Sequence, residues 1–264
     1  MFTHSFDPVL VNFGLIEIRW YSLAYIFGIL IGWWYGKKII IKRFIFEKQT
    51  FNLKEFDNLV TYIVFSIILG GRIGYVIFYN LEYFLSNPLE ILKIWEGGMS
   101  FHGALIGIII GTYLFSTKKN IKTLFFLDII ACVAPIGIMF GRIANFINGE
   151  LWGKISYIHW AVIFPQSGSL EPRHPSQIYQ SICEGFLVFI LILFLRKSKW
   201  GRRPGVISCS FLIFYSFARI AIEFFRYPDS TIYFNWMTKG QLYSLVFIIF
   251  SLIIMRKLKL FNQG

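Results

Sequence analysis

The chain has 264 residues, 56% of them hydrophobic and 20% aromatic, and carries a formal net charge of +12. That apolar share excludes a disordered chain and exceeds ordinary soluble usage, so the composition points to a polytopic membrane protein. The charge does not indicate nucleic-acid binding, because the basic residues are distributed loop by loop and not gathered on one face.

The opening segment, "MFTHSFDPVL", has no basic stretch and no small-residue cleavage site ahead of the first apolar run, so the first helix is expected to be retained. Apolar runs long enough to cross a bilayer, about 20 residues each, recur along the chain. They predict seven spans, at 16–36, 57–80, 99–116, 124–147, 176–195, 205–226 and 240–255, in one all-α transmembrane domain covering 1–264. Between the first and second spans lie Lys37, Lys38, Lys42, Arg43, Lys48 and Lys54; Lys118, Lys119 and Lys122 follow the third. Arg196, Lys197, Lys199, Arg202 and Arg203 follow the fifth, and Arg256, Lys257 and Lys259 the seventh. The alternate connections are poor in such residues: no cation precedes Arg19, and Glu82, Glu90 and Glu96 outnumber Lys93 after the second span. Because basic loops stay on the cytoplasmic side, this pattern predicts an outside N-terminus and a cytoplasmic C-terminus.

With that topology each polar residue in a span acquires a depth. Arg19 and Tyr21 fall near the outer end of the first span, Arg72 toward the outer end of the second, and His102 near the outer end of the third. Arg142, Asn145, Asn148 and Glu150 end the fourth; Tyr215, Arg219, Glu223 and Arg226 end the sixth. An arginine at the bilayer centre costs roughly 2.5 to 3.5 kcal/mol on insertion scales, so such groups should face a bundle interior or a wet cavity. Tyr215, Arg219 and Glu223 are four residues apart and share one helix face, where Glu223 can orient Arg219. The alternative is a set of interhelical ion pairs that only hold the bundle together. It applies more readily to Arg72 and Arg226 than to Arg142 and Arg219, whose neighbours along the chain include few carboxylates.

Glycines four apart, Gly70 and Gly74, Gly103, Gly107 and Gly111, Gly137 and Gly141, predict close helix approach. Cys132, Cys183 and Cys209 lie inside spans without CxxC spacing and read as packing residues. No HExxH or GxSxG pattern occurs, so neither a zinc nor a serine hydrolase mechanism is expected, and no metal or cofactor. Arginine presents a planar fork suited to phosphate or carboxylate. The residues by themselves therefore predict binding of an anionic lipid or solute from the outer side. A seven-helix transporter would also place arginines between helices, although no internal repeat is visible.

The stretches "GGRIGYVIFYN", "GGMSFHGALIG", "GRIANFINGELWG", "RHPSQIYQ" and "RIAIEFFRYPD", in that order, resemble the successive signatures of bacterial prolipoprotein diacylglyceryl transferases, and "FDPV" and "WYSLAY" also fit. Ala104 and Ala144 stand where that family often carries glycine. The resemblance implies transfer of the diacylglyceryl group of phosphatidylglycerol to the lipobox cysteine in the signal peptide of a preprolipoprotein, forming a thioether and releasing glycerol phosphate. It places the enzyme in the bacterial cytoplasmic (inner) membrane, with the bilayer itself as a partner and the active site toward the outer leaflet. It implies catalytic roles for His102, Arg142 and Arg219 and substrate contacts for Asn145, Glu150 and Gly153, with Tyr21, Tyr215 and Glu223 in support. Arg72 joins the substrate-binding set on account of its depth; His174 and Gln177 are rim residues, with His174 expected to cap or orient. In this chemistry Arg142 and Arg219 would stabilise charge on the departing phosphate. His102 is the candidate base for a thiol whose ordinary pKa is about 8.5.

Overall fold

The computed structural model describes residues 2–14, 17–47, 53–94, 97–228 and 237–260, with the side chains of 42–47, 101 and 102 left aside. The basic side chains of Lys42, Arg43 and Lys48, the carboxylate of Glu96 and the imidazole of His102 thus lie outside the described residues. The helices, in chain order, are α1 (Trp20–Glu47), α2 (Leu53–Tyr79), α3 (Leu81–Ser86), α4 (Phe101–Lys119) and α5 (Thr123–Ile147). They continue with α6 (Ser176–Gln180), α7 (Val188–Lys197), α8 (Val206–Glu223) and α9 (Lys239–Lys257). A π-helical stretch, Ser181–Leu187, joins α6 to α7, so that Ser176–Lys197 is one continuous rod.

Six helices among the described residues are long and apolar enough to cross a membrane: Trp20–Ile41, Leu53–Tyr79, Thr123–Ile147, Ser176–Lys197, Val206–Glu223 and Lys239–Lys257. They fall on six of the seven predicted spans, and the 19-residue α4 occupies the position of the remaining one. The expectation of an all-helical chain needs amendment. Strands β1 (Phe2–Thr3), β4 (Val162–Ile163) and β5 (Pro172–Arg173) form a small sheet, and β2 (Val9–Asn12) pairs antiparallel with β3 (Glu17–Arg19). Strands of two to four residues are too short to leave a period-two pattern in the sequence.

The chain divides into two compact units, residues 37–127 and residues 1–36 with 128–264. In the first, α2 lies along α4 at glycine-to-glycine distance. A Cβ added at Gly103 would run into the backbone of Gly70 and Gly74, and one at Gly107 into the carbonyl of Ser66. The start of α4 is fixed by Ser100, whose hydroxyl accepts from the Gly103 amide at 3.2 Å, and its end by Asn120 in the left-handed conformation. In the second unit Gly28 would meet Gly137 at 3.2 Å, as the spacing predicts. A Cβ added at Gly137 or at Gly141 meets nothing within 4 Å among the described residues, so the close approach described there is that of Gly28 to the Gly137 backbone.

Two devices hold the helices of the second unit in register. Val206 and Cys209 of α8 pack against Met255 and Leu260, with Trp200 donating to the Leu260 carbonyl at 2.7 Å. Asp128, wholly buried in α5, accepts from the amides of Gly205 (2.9 Å) and Ser208 (2.8 Å) and from the Ser208 hydroxyl (2.9 Å). It caps the first turn of α8 from another helix and meets the partial positive charge there. Asp128→Ala would strand two amide donors and is expected to cost about 2 to 4 kcal/mol. A lowered thermal midpoint in detergent checks this; an unchanged midpoint removes Asp128 from the account of how α5 and α8 are aligned.

Candidate active site

Three stretches of the second unit meet at one cluster of charge. The last turns of α5 carry Arg142 and Asn145, one turn apart and so on one face. α8 contributes Tyr215, Arg219 and Glu223 down another face, as their spacing predicts. The third component is Glu184, in the π-helical stretch and fully buried. π turns widen a helix locally and redirect its side chains. This one sits directly on α5: Ser181 donates to the Met139 carbonyl at 3.1 Å, and a Cβ on Gly185 would come within 2.7 Å of Met139.

Glu184 bridges the two arginines. Arg142 Nη2 lies 3.1 Å from its Oε2 and Arg219 Nη1 3.5 Å from its Oε1, while Gln180 donates to Oε1 at 3.1 Å. Arg219 Nη2 also reaches Glu223 Oε2 at 3.2 Å, and Arg226 Nη1 lies 3.9 Å from the same oxygen. Tyr215 is a further hydrogen-bond partner of Arg142. The carboxylate of Glu184 has no accessible surface, whereas the side chains of Arg142 and Arg219 keep 20% and 13% of theirs. Arg142 and Arg219 thus stay partly accessible around a fully buried anion, with the second amino group of Arg219 on Glu223. The sequence does not single out Glu184, because helical spacing relates only carboxylates within a turn of each arginine and this one comes from a third rod. Its signal was a lone acid inside the apolar run 176–195.

The loop after α5, "NGELWG", is held from two sides. Gly149 (φ 65°) and Leu151 (φ 57°) are both left-handed, an uncommon state for leucine that persists only where surroundings enforce it. Here they do. Gln177 donates to the Glu150 carbonyl at 2.6 Å and Ser176 to the Leu151 carbonyl at 2.9 Å. The Gly153 amide donates to the His174 carbonyl at 2.9 Å, and the Lys154 amide to the Phe225 carbonyl at 2.9 Å. Gly153 thus lies between the "RHPSQ" and "FFRY" segments, paired with Arg226 in an isolated bridge. The Glu150 carboxylate turns back on α5, accepting from Asn145 at 2.6 Å. Burial, then the Lys154 ammonium, pushes the His174 imidazole below its ordinary pKa, which favours the neutral ring at Tyr179, 3.2 Å away. Near the start of the chain His4, also buried, bonds to the Phe146 carbonyl at 2.7 Å and secures the end of α5.

Of the other residues predicted for the site, Tyr21 accepts from the Tyr25 hydroxyl at 3.1 Å, and Tyr25 lies within electrostatic range of Arg142 and Glu150. Arg72 and His102 belong to the 37–127 unit. Arg72 is buried with every guanidinium nitrogen engaged on carbonyls: Glu90 at 2.6 Å, Ile91 at 2.9 Å, Gly97 at 2.6 Å and Gly98 at 3.3 Å. Phe84 lies beneath it, 5.1 Å from ring centre to guanidinium carbon. These bonds tie Glu90, Ile91, Gly97 and Gly98 to α2.

A mostly helical chain with several membrane-length helices and a cluster of arginines and carboxylates among them is a multi-pass membrane protein. The chain belongs to the prolipoprotein diacylglyceryl transferase family, which it matches over residues 8–256. It is 48% identical over 249 residues to the phosphatidylglycerol–prolipoprotein diacylglyceryl transferase of Ehrlichia canis, covering 92% of either chain. Proteins of the same name from Ehrlichia ruminantium and Rhodopseudomonas palustris are each 45% identical, with 96% and 95% of this chain covered and 96% and 89% of theirs.

Proposed function

We propose that the chain transfers the diacylglyceryl group of phosphatidylglycerol to the cysteine thiol of a prolipoprotein lipobox, the first step of bacterial lipoprotein maturation. The observation that carries this reading is the convergence of two partly accessible arginines, Arg142 and Arg219, on one buried carboxylate. In the reaction a sulfur–carbon bond forms at the glyceryl carbon next to the phosphate as the carbon–oxygen bond breaks. The oxygen leaves with the electron pair, so a phosphodiester of charge −1 becomes glycerol phosphate approaching −2. Two guanidiniums are suited to that growing charge, in a site where water screens little. Asn145 and Glu150 orient the glycerol or the arginine beside it, the Tyr21–Tyr25 pair flanks the same face, and Gly153 keeps the loop narrow. For Arg72 the bonding favours holding the backbone at Glu90, Ile91 and Gly97 over gripping ligand.

The proposed topology counts α4 as a seventh span, sets the N-terminus and the 148–175 segment outside, and leaves the basic loops and C-terminus in the cytoplasm. The site would then open to the outer leaflet of the inner membrane, where phosphatidylglycerol headgroups and exported lipobox peptides both arrive. His102, assigned by the family motif, is the proposed acceptor of the thiol proton. Its replacement by glutamine should lower transfer about 100-fold near neutral pH, with partial recovery as the thiol ionises at higher pH; a wild-type pH profile would remove it from that role. The decisive experiment incubates purified protein with phosphatidylglycerol vesicles and a lipobox peptide. Gain of diacylglycerol mass on the cysteine, with release of glycerol phosphate, is expected; a peptide of unchanged mass overturns the proposal.

A further inference from the structure

Among the described charged residues of the cluster, Glu184 is the one with no accessible surface, and it touches both candidate phosphate ligands. Its placement is elaborate. It stands in a π-helical stretch, is held by Gln180, and is pressed toward α5 by the close contact of Gly185 with Met139. A carboxylate buried only to bind helices together would have no reason to engage two cations whose side chains stay partly accessible. Such a buried ion pair is also a weak source of stability, because desolvation offsets most of the attraction.

The charge it carries suggests what it does instead. Glu184 takes one contact from each arginine, so losing its charge would leave the pair one unit more positive. Attraction for any anion would rise, and most for a product approaching −2, because Coulomb energy scales with the charge of the ligand.

We propose that Glu184 is a positioning residue for the transfer: a counter-ion shared by Arg142 and Arg219 that aligns both forks on one phosphate and keeps the site from retaining glycerol phosphate. The inference rests on the arginine–phosphate reading above and adds to it a residue and a step, product release.

The test compares wild type with Glu184→Gln and Glu184→Asp in the vesicle and peptide assay, measuring kcat, the KM for phosphatidylglycerol, and inhibition by added glycerol phosphate. Glutamine keeps length and an acceptor oxygen but removes the charge. Glu184→Gln is expected to lower kcat about 10-fold or more while glycerol phosphate inhibits at about 10-fold lower concentration. Glu184→Asp keeps the charge but is too short to span both arginines, so kcat falls about 5-fold or more with the inhibition constant near wild type. An unchanged inhibition constant in Glu184→Gln overturns the proposal, whatever its kcat, because a merely structural role would not spare it. If Glu184→Gln does not accumulate as folded protein, Glu184→Asp decides, and a wild-type kcat there overturns the proposal as well. Should glycerol phosphate fail to inhibit the wild-type enzyme, the arginine–phosphate reading falls and takes this inference with it.

Discussion

Replacing Arg142 or Arg219 with alanine is expected to lower diacylglyceryl transfer by about 100-fold or more, the usual loss when one preorganised donor to a developing oxyanion is removed. Each arginine reaches Glu184 from its own helix, Arg142 from α5 and Arg219 from α8, so neither can cover for the other at its edge of the phosphate. Losing one also leaves a buried carboxylate with half its countercharge, a change that destabilises proteins by roughly 3 to 5 kcal/mol when the pair is fully buried. The measurement must separate these effects. Arg142→Lys and Arg219→Lys retain the charge and much of the stability but lose the planar fork, and should still lose most of the rate. Transfer at wild-type rate by both alanine variants would end the phosphate-grip account. Loss of rate only in variants that also lose their thermal transition would reduce the arginines to structural ion pairs.

Gly153→Ala is the second change from which a large effect is expected, and for a purely steric reason. A Cβ at this position would stand 2.6 Å from the His174 Cβ, 2.6 Å from the His174 carbonyl oxygen and 2.6 Å from the Phe225 carbonyl oxygen. Two of these are backbone atoms of different segments, and both carbonyls already accept hydrogen bonds from the Gly153 and Lys154 amides. Neither side can yield without breaking the bonds that hold Gly153 and Lys154 in place. A single methyl should therefore displace the loop, at a cost of about 3 kcal/mol or more, and reduce transfer to the background of the assay. Full activity in Gly153→Ala would mean that the loop geometry is not needed for the reaction.

How much of this could be read from the chain depends on the kind of information involved. Membrane-length helices are legible because length and apolarity are one-dimensional: the predicted run 124–147 and the observed Thr123–Ile147 differ by one residue at one end. The shared face of Tyr215, Arg219 and Glu223 is legible for the same reason, since helical spacing alone sets it. Glu184 was not, because its importance lies in partners 42 and 35 residues away, and local spacing carries no trace of them. The brace on Gly153 is equally hidden: the motif contains the glycine, but the reason for it is a carbonyl at 174 and another at 225. The range predicted for the sixth span ran through Arg226, whereas α8 stops at Glu223 and Arg226 lies beyond it, bridged to Gly153. Apolar Phe224 and Phe225 conceal that boundary in the sequence.

The glycine seam between α2 and α4 has a thermal consequence. On the proposed topology, in which α4 spans the membrane beside α2, the two helices meet in lipid and expel no water, so their association draws on direct atomic contact and not on the solvent entropy that drives soluble cores together. Solvent-driven burial weakens on cooling, whereas a seam in which Gly103 meets Gly70 and Gly74 backbone to backbone has little of that dependence. The α2–α4 pair should hold its geometry in the cold, in bilayers or mild detergent, at temperatures where soluble cores of similar size begin to loosen.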